Sequence, residues 1–284
     1  MILGNEKANK ILEELLKRDT LSICLSGPEG LGKKSKALEL IGQILKVNTD
    51  EAAVHADLFF VEPTNSLIKL EKIRELLEFS HLKSYSGGRK FALINDAHLM
   101  NTESQNALLK ILEDPPEGQT IILITDKYDE LLSTIRSRLI KVSYKKLTDD
   151  EIKTAVGRDL STEVLILADG SVSKAKYYMD YDMSGLTDFV RAFLYRDGNY
   201  TTKDPEAEDF KVMATYAICV LKEMRKISCG GKSDLHDANI FQNKLKIRAE
   251  IIDRLLIKLD QAMSLYMGNF NKKNIFADLM MGDF

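Results

Sequence analysis

The stretch LSICLSGPEGLGKKS, Leu21 to Ser35, limits the fold more than any other part of the chain. A short apolar run suited to a strand meets Gly27, Gly30 and Gly32, and a helical pattern starts at Lys33 and continues to about Lys46. A strand, a glycine-rich turn and a helix, in that order, bring backbone N–H groups together at a helix N-terminus, where they can meet phosphate oxygens. A unit of this kind sits in a sheet, so further strands are expected downstream.

Four more are readable. DLFFVEP reads as a second strand stopped by Pro63, KFALIN as a third, TIILIT (Thr120 to Thr125) as a fourth and RLIKVSY as a fifth. Between them, LIKLEKIRELLEFSHL places Leu67, Leu70, Ile73, Leu76 and Leu77 at helical spacing. TESQNALLKILED opens with Thr102 and Gln105 in capping-box register. Continuous apolar strands separated by helices predict a parallel five-stranded sheet covered on both faces.

The pattern changes near Leu147. TDDE, Thr148 to Glu151, is a capping box, and residues 149–183 read as a small helical unit around the turn ADGSVSKA. After YDMSG the chain is all-helical, with no proline beyond Pro205. There KLKIRAEIIDRLLIKLDQAMSLY predicts one long helix with Ile251, Leu255, Leu259 and Met263 on a bundle-facing stripe. The fold class is therefore α/β followed by all-α.

Composition removes several classes of function. A formal net charge of -3 does not make a polycation that holds nucleic acid by bulk attraction. Charges such as Lys69, Lys72, Arg74, Lys83 and Arg89 fit a solvated helix face, with a surface facing DNA inside a ring as the alternative. Cys24, Cys219 and Cys229 read as reduced, buried small hydrophobes, and His55, His81, His98 and His236 lack metal-ligand spacing, so no metal is expected. No apolar run approaches the roughly 18 residues that span a bilayer, and MILGNEKANK has no signal-peptide core, so a cytoplasmic location is expected.

The loop departs from a working phosphate loop at its hydroxyl. Gly32 and Lys33 are followed by Lys34, and Ser35 arrives one residue late, rotated by about 100° around the helix. That hydroxyl normally binds Mg²⁺, so Lys34 is expected to bring positive charge close to the metal position. The strand that should end in Asp-Glu ends instead in Asn95 and Asp96, a neutral amide and a carboxylate one methylene short. Both departures fall on the metal, and both predict lost hydrolysis.

GPEGLGKKS, HADLFFVEP, GGRKFALINDAHLMNTESQNALLKILEDPPEGQTIILIT and LLSTIRSRL together closely resemble the delta prime subunits of bacterial DNA polymerase III, AAA+ proteins of the sliding-clamp loader. The resemblance covers about residues 1–185, and extends weakly to the C-terminal bundle through NFNKKNIFADLMM. It implies an AAA+ P-loop domain over 1–148, a helical lid over 149–185 and an oligomerising helical collar over 186–284. It also implies a partner that does not hydrolyse ATP itself. Such a partner lends an arginine in trans to the adjacent subunit, and SRL at Ser137-Arg138-Leu139 keeps the serine and arginine of the family's Ser-Arg-Cys motif.

By the same resemblance Lys174 occupies the second-sensor position, and Thr125 with Asp126 the first. No cofactor is required; ATP or ADP held without hydrolysis is compatible with the loop. The four-cysteine zinc module of many relatives is absent, because the 19 residues from Lys36 to Val54 contain no cysteine. The implied partners are the gamma/tau motor and delta subunits, with the sliding clamp and primer-template DNA reached through the complex, and no membrane. The alternative is a self-sufficient AAA+ ATPase of the gamma-like or DNA-repair type.

Overall fold

The computed structural model describes residues 4–183, 185–195, 207–266 and 272–281. The chain divides into two compact units: Met1–Arg158 with Gly170–Ser173, and Asp159–Asp169 with Lys174–Phe284.

The first unit holds α1 (Glu6–Leu15), β1 (Leu21–Ser26), α2 (Lys33–Leu45), α3 (Thr49–Ala53), β2 (Leu58–Val61) and α4 (Leu70–His81). It continues with β3 (Lys90–Ile94), α5 (Thr102–Glu113), β4 (Gln119–Thr125), α6 (Ser133–Arg136), β5 (Ile140–Ser143) and α7 (Asp149–Val156). The five strands form one parallel sheet in the order β2-β3-β4-β1-β5. Every residue of β3 and β4 is buried, as strands covered on both faces must be.

Alternate strand residues feed two apolar layers. Ile23, Leu25, Phe91, Leu93, Ile122 and Ile124 pack with Leu12 of α1 and Ile41 of α2. Cys24, Ala92, Ile94, Ile121 and Leu123 pack with Ile73 and Leu76 of α4 and Leu108 of α5. Each fully buried Leu or Ile contributes about 1.5–3 kcal/mol by leaving water. The register sets Ser26 opposite Thr125 and Ser143, and Leu123 opposite Ile94. The C-terminal ends of β1, β3 and β4 therefore lie along one end of the sheet.

The second unit is helical: α8 (Thr162–Ala168), the greater part of α9 (Val172–Met179), α10 (Leu186–Tyr195), α11 (Ala207–Ser228), α12 (His236–Leu245), α13 (Ala249–Tyr266) and α14 (Lys272–Met281). Its core joins Phe189, Phe193, Phe210, Val220, Leu255 and Leu259, and the rings of Phe210 and Tyr266 stack at 4.0 Å. Buried Asp237 accepts the hydroxyls of exposed Thr187 at 2.6 Å and buried Tyr216 at 3.1 Å.

Several local expectations are corrected. Leu67 stands before α4 in a bridge with Thr64, because Asn65 and Ser66 turn the chain with positive φ. The N-cap of α5 is Asn101, whose side chain accepts from Ser104 N at 2.8 Å, so Thr102 is already helical. Gln105 turns inward instead, donating to Met100 O at 3.0 Å and accepting from Leu132 N at 2.8 Å.

The long C-terminal helix is broken at Lys246, which caps α12 in a left-handed conformation with φ 49°. On α13 the fully buried stripe is Ile252, Leu255, Leu259, Ala262 and Tyr266, with Ile251 and Met263 only partly buried. Of the cysteines Cys24 alone is buried; Cys219 is half-buried and Cys229 exposed. Arg89 is no DNA-facing charge, since it donates to Leu16 O at 2.6 Å and Thr120 Oγ1 at 2.7 Å. Ser184 of YDMSG, Pro205, and residues 269–271 of NFNKKNIFADLMM lie outside the described residues. The capping box at Thr148 and Glu151 is present as expected.

Candidate functional site

Loop geometry begins at the end of β1. Gly27 N donates to Thr125 O at 3.1 Å, and its φ of 149° sets the backbone against β5's exit, where a Cβ would lie 2.3 Å from Tyr144 O. Gly30, at φ 78°, approaches Ser171 so closely that a Cβ would meet its Oγ at 2.2 Å. That hydroxyl donates to Gly30 O at 2.8 Å. Gly32 is the N-cap of α2.

A cavity of about 250 Å³ opens here, lined by Gly30, Gly32, Lys33, Lys34, Ser35, Asn95 and Asp96 from the expected set. Glu29, Leu31, Ile124, Asp126 and Ser173 complete the lining. The sheet thus brings loop and β3 end together, as a phosphate-binding architecture requires. Gly27 shapes the turn from behind.

Lys33 is buried, and its ammonium donates to the carbonyls of its own loop, Gly27 O and Pro28 O, both at 2.6 Å. Burial pushes its pKa below the usual lysine value against the opposing pull of Asp126, Asp96 and Glu29. Lys34 turns toward the end of β2, where Nζ pairs with Glu62 at 2.9 Å. Lys34 thus lines the cavity with its charge paired to a protein carboxylate.

Asn95 Nδ2 donates to Asp96 Oδ2 at 2.9 Å, so the amide turns a donor toward the carboxylate. Burial raises the Asp96 pKa, with Asp126 and Glu29 adding to the rise and His98 and Lys33 opposing it. These side chains do not fit the usual magnesium centre: the hydroxyl ligand is replaced by Lys34, and Asn95 offers no charge. Among the described residues no group of three or more His, Cys, Asp or Glu side chains could hold a metal ion.

Thr125 departs from the first-sensor expectation. Its buried Oγ1 accepts from Lys127 N at 3.0 Å and lies 3.2 Å from His98 Nδ1, and it does not line the cavity. Asp126 lines the cavity instead and pairs with His98 at 3.2 Å. Lys174 lies on α9, in the second unit. Sequence spacing held no sign of Glu62, His98 or Ser173. The one available signal was the acidic residue inside the loop itself, at Glu29.

Arg138 stands apart from this cavity. It follows α6 and precedes β5, whose first residue Ile140 is opposite Ile23, in the middle of β1. In a parallel sheet the approach to β5 is at the end away from the loop. Arg138 Nη2 donates to Glu113 Oε1 at 2.7 Å and Nη1 to Thr134 O at 2.8 Å, with the side chain 34% exposed. Leu139 is buried with the apolar layer of α4 and α5, so leucine at this position packs.

The chain is similar to known proteins. The family model described as "DNA polymerase III, delta subunit" matches residues 4–148, just over half of the 284 residues. A DNA polymerase III subunit delta' of Pseudomonas aeruginosa is 32% identical over 133 residues, 41% of this chain and 40% of that protein. The subunit delta' of Bacillus subtilis is 28% identical over 159 residues, 51% of this chain and 48% of that protein. The chain thus matches less than half the length of each of these curated relatives. Among solved structures, a DNA polymerase III gamma subunit-related protein of Thermotoga maritima aligns with a TM-score of 0.58 and 18% identity, covering 96% of this chain and 97% of that one. The shared architecture is the AAA+ α/β fold followed by helices.

Proposed function

The chain belongs to the DNA polymerase III, delta subunit family, and on that premise we propose that it is the delta prime type subunit of a bacterial sliding-clamp loader. In this reading it does not hydrolyse ATP and supplies Arg138 to the ATP site of its neighbour. The observation that carries the reading is the placement of Arg138, exposed at the sheet end away from its own loop. An arginine outside the cavity of its own chain supports the reading of a role at a neighbour's.

The cavity supports the other half of the proposal. Lys33 is satisfied by Gly27 and Pro28 carbonyls, Lys34 by Glu62, and Asn95 turns its amide to Asp96. Without a magnesium ligand set, charge building on a transferring phosphoryl group would go unneutralised. Gly30, Gly32, Lys33 and Ser35 retain a shape in which ATP or ADP could rest without turnover. Thr125, turned toward His98, does not support a sensor role, and Lys174 keeps that role by resemblance alone.

The proposed partners are the gamma/tau motor and delta subunits, with clamp and primer-template DNA reached through the cytoplasmic complex. Part of the proposal is the three-domain division at 148 and 185.

The test is ATP hydrolysis by a loader reconstituted with gamma/tau and delta from the same organism. Arg138→Ala is expected to leave assembly intact and to lower turnover by roughly 10³-fold at the one site it serves. The isolated chain is expected to show no turnover above background. Unchanged loader activity with Arg138→Ala would sink the finger assignment; turnover by the lone chain would favour a self-sufficient ATPase.

A further inference from the structure

We propose that Glu113 is the positioning residue for Arg138, fixing the guanidinium for delivery across a subunit boundary. The inference rests on the reading of Arg138 as a finger in trans. Glu113 is the last residue of α5, and its Oε1 accepts from Arg138 Nη2 at 2.7 Å. Nη1 donates to Thr134 O at 2.8 Å and to Ser137 Oγ at 3.3 Å. Three of the five guanidinium N–H donors are thereby engaged, and the remaining two, on Nε and Nη2, can meet phosphate oxygens.

The same helix holds the other end of the arginine's segment. Near the start of α5, Gln105 Oε1 accepts from Leu132 N at 2.8 Å. Residues 132–138 are therefore bonded to one helix at both ends, though α6 between them has only four residues and too few turns to be stable alone. The Glu113 tie does for the side chain what the Gln105 tie does for the backbone.

A lock that restrains the arginine is the weaker reading of this ion pair. Both side chains are partly exposed, 34% for Arg138 and 54% for Glu113, and pairs so exposed are weak. A nucleotide triphosphate offers the arginine far more charge than one carboxylate does. What a weak but directional bond does well is select one rotamer, so that less freedom is lost on docking.

The test uses the assembled loader with four variants: Arg138→Ala, Glu113→Gln, Glu113→Asp and Arg138→Ala with Glu113→Gln. Glu113→Gln is expected to lower kcat for ATP roughly two- to tenfold, with KM changing by less than about twofold. Glu113→Asp, which keeps the charge with a shorter reach, is expected to retain most of kcat. In the Arg138→Ala background, Glu113→Gln is expected to have no further effect. An unchanged or raised kcat for Glu113→Gln overturns the positioning role, as does a further loss in the Arg138→Ala background. If Arg138→Ala alone leaves kcat unaltered, the finger reading fails, and the positioning role fails with it.

Discussion

Lys34, at the start of α2, and Glu62, just past the end of β2, form an ion pair at 2.9 Å. The residue at the position where a working phosphate loop carries its hydroxyl thus has a protein carboxylate as its partner. Both side chains are exposed and the pair is weak, and what the position lacks for magnesium is the hydroxyl itself.

Nucleotide binding by the wild-type chain is therefore expected to be indifferent to magnesium. Lys34→Thr combined with Asn95→Asp returns a hydroxyl and a carboxylate, and should make ATP binding at least about tenfold tighter with Mg²⁺ than with a chelator, about 1.4 kcal/mol. Equilibrium dialysis with labelled ATP, with and without EDTA, measures both. A wild-type affinity that collapses on chelation would contradict the account of the cavity.

Gly30 is constrained by conformation and by space together. Gly30→Ala places a Cβ 2.2 Å from Ser171 Oγ at φ 78°, and should destabilise the first unit by about 2–3 kcal/mol in chemical denaturation. Ser171→Ala in the same chain removes the hydroxyl and leaves Ser171 Cβ at 3.2 Å. The added cost of Gly30→Ala should then shrink to the left-handed penalty, about 1 kcal/mol. An equal loss in both backgrounds would show that the contact does not matter.

Asp57 is expected to shape the acid limb of stability. It accepts from Tyr85 N at 2.6 Å, Ser86 N at 2.9 Å and Ser86 Oγ at 2.6 Å. Burial pushes its pKa up, but the bonds from Ser86 and Tyr85 outweigh this and hold it below the ordinary aspartate value. The folded protein then binds this proton less readily than the unfolded chain does. Its stabilisation is complete above the unfolded pKa of about 3.9 and is lost as pH falls through the lower folded value. Asp57→Asn should lower the urea midpoint at pH 7 and flatten its decline below about pH 4. A decline as steep as in wild type would assign the acid limb to other groups.

In the helical unit, Asp237→Ala leaves the buried hydroxyl of Tyr216 and the hydroxyl of exposed Thr187 without their acceptor. The expected cost is about 1–3 kcal/mol, read from thermal or denaturant unfolding. Because the two side chains share one bond, Asp237→Ala with Tyr216→Phe should cost less than the sum of the single changes. Strict additivity would mean that the bond contributes nothing.

Much of this fold was legible because its strongest signals are local. Buried parallel strands read as unbroken apolar runs, and β3 and β4 are buried at every residue. The glycines of the loop mark a turn that only glycine makes easily. Boundaries decided by competition were harder to read: Asn101 and Thr102 are both cap-forming residues, and Asn101 won α5's N-cap. Leu67 has helical spacing but is pulled into a turn with Thr64.

In the candidate site, the residues named from the loop and from β3 came together, whereas their partners were not visible. Glu62 is 28 residues from Lys34, Glu113 is 25 from Arg138, and Ser171 is 141 from Gly30. No periodicity links such positions, since only the folded topology makes them neighbours. Of the two residues expected at the strand end, both meet His98, and Asp126, one residue past β4, is the one that lines the cavity.

The four residues Gly170–Ser173 belong to the first unit although the chain on either side of them belongs to the second. The polypeptide therefore crosses the border between its units three times, after Arg158, Asp169 and Ser173. No single cut separates the two units intact. A fragment ending at Arg158 would leave the Gly30 carbonyl without the Ser171 hydroxyl and the cavity without Ser173. During synthesis the pocket cannot close until the ribosome has already made α8.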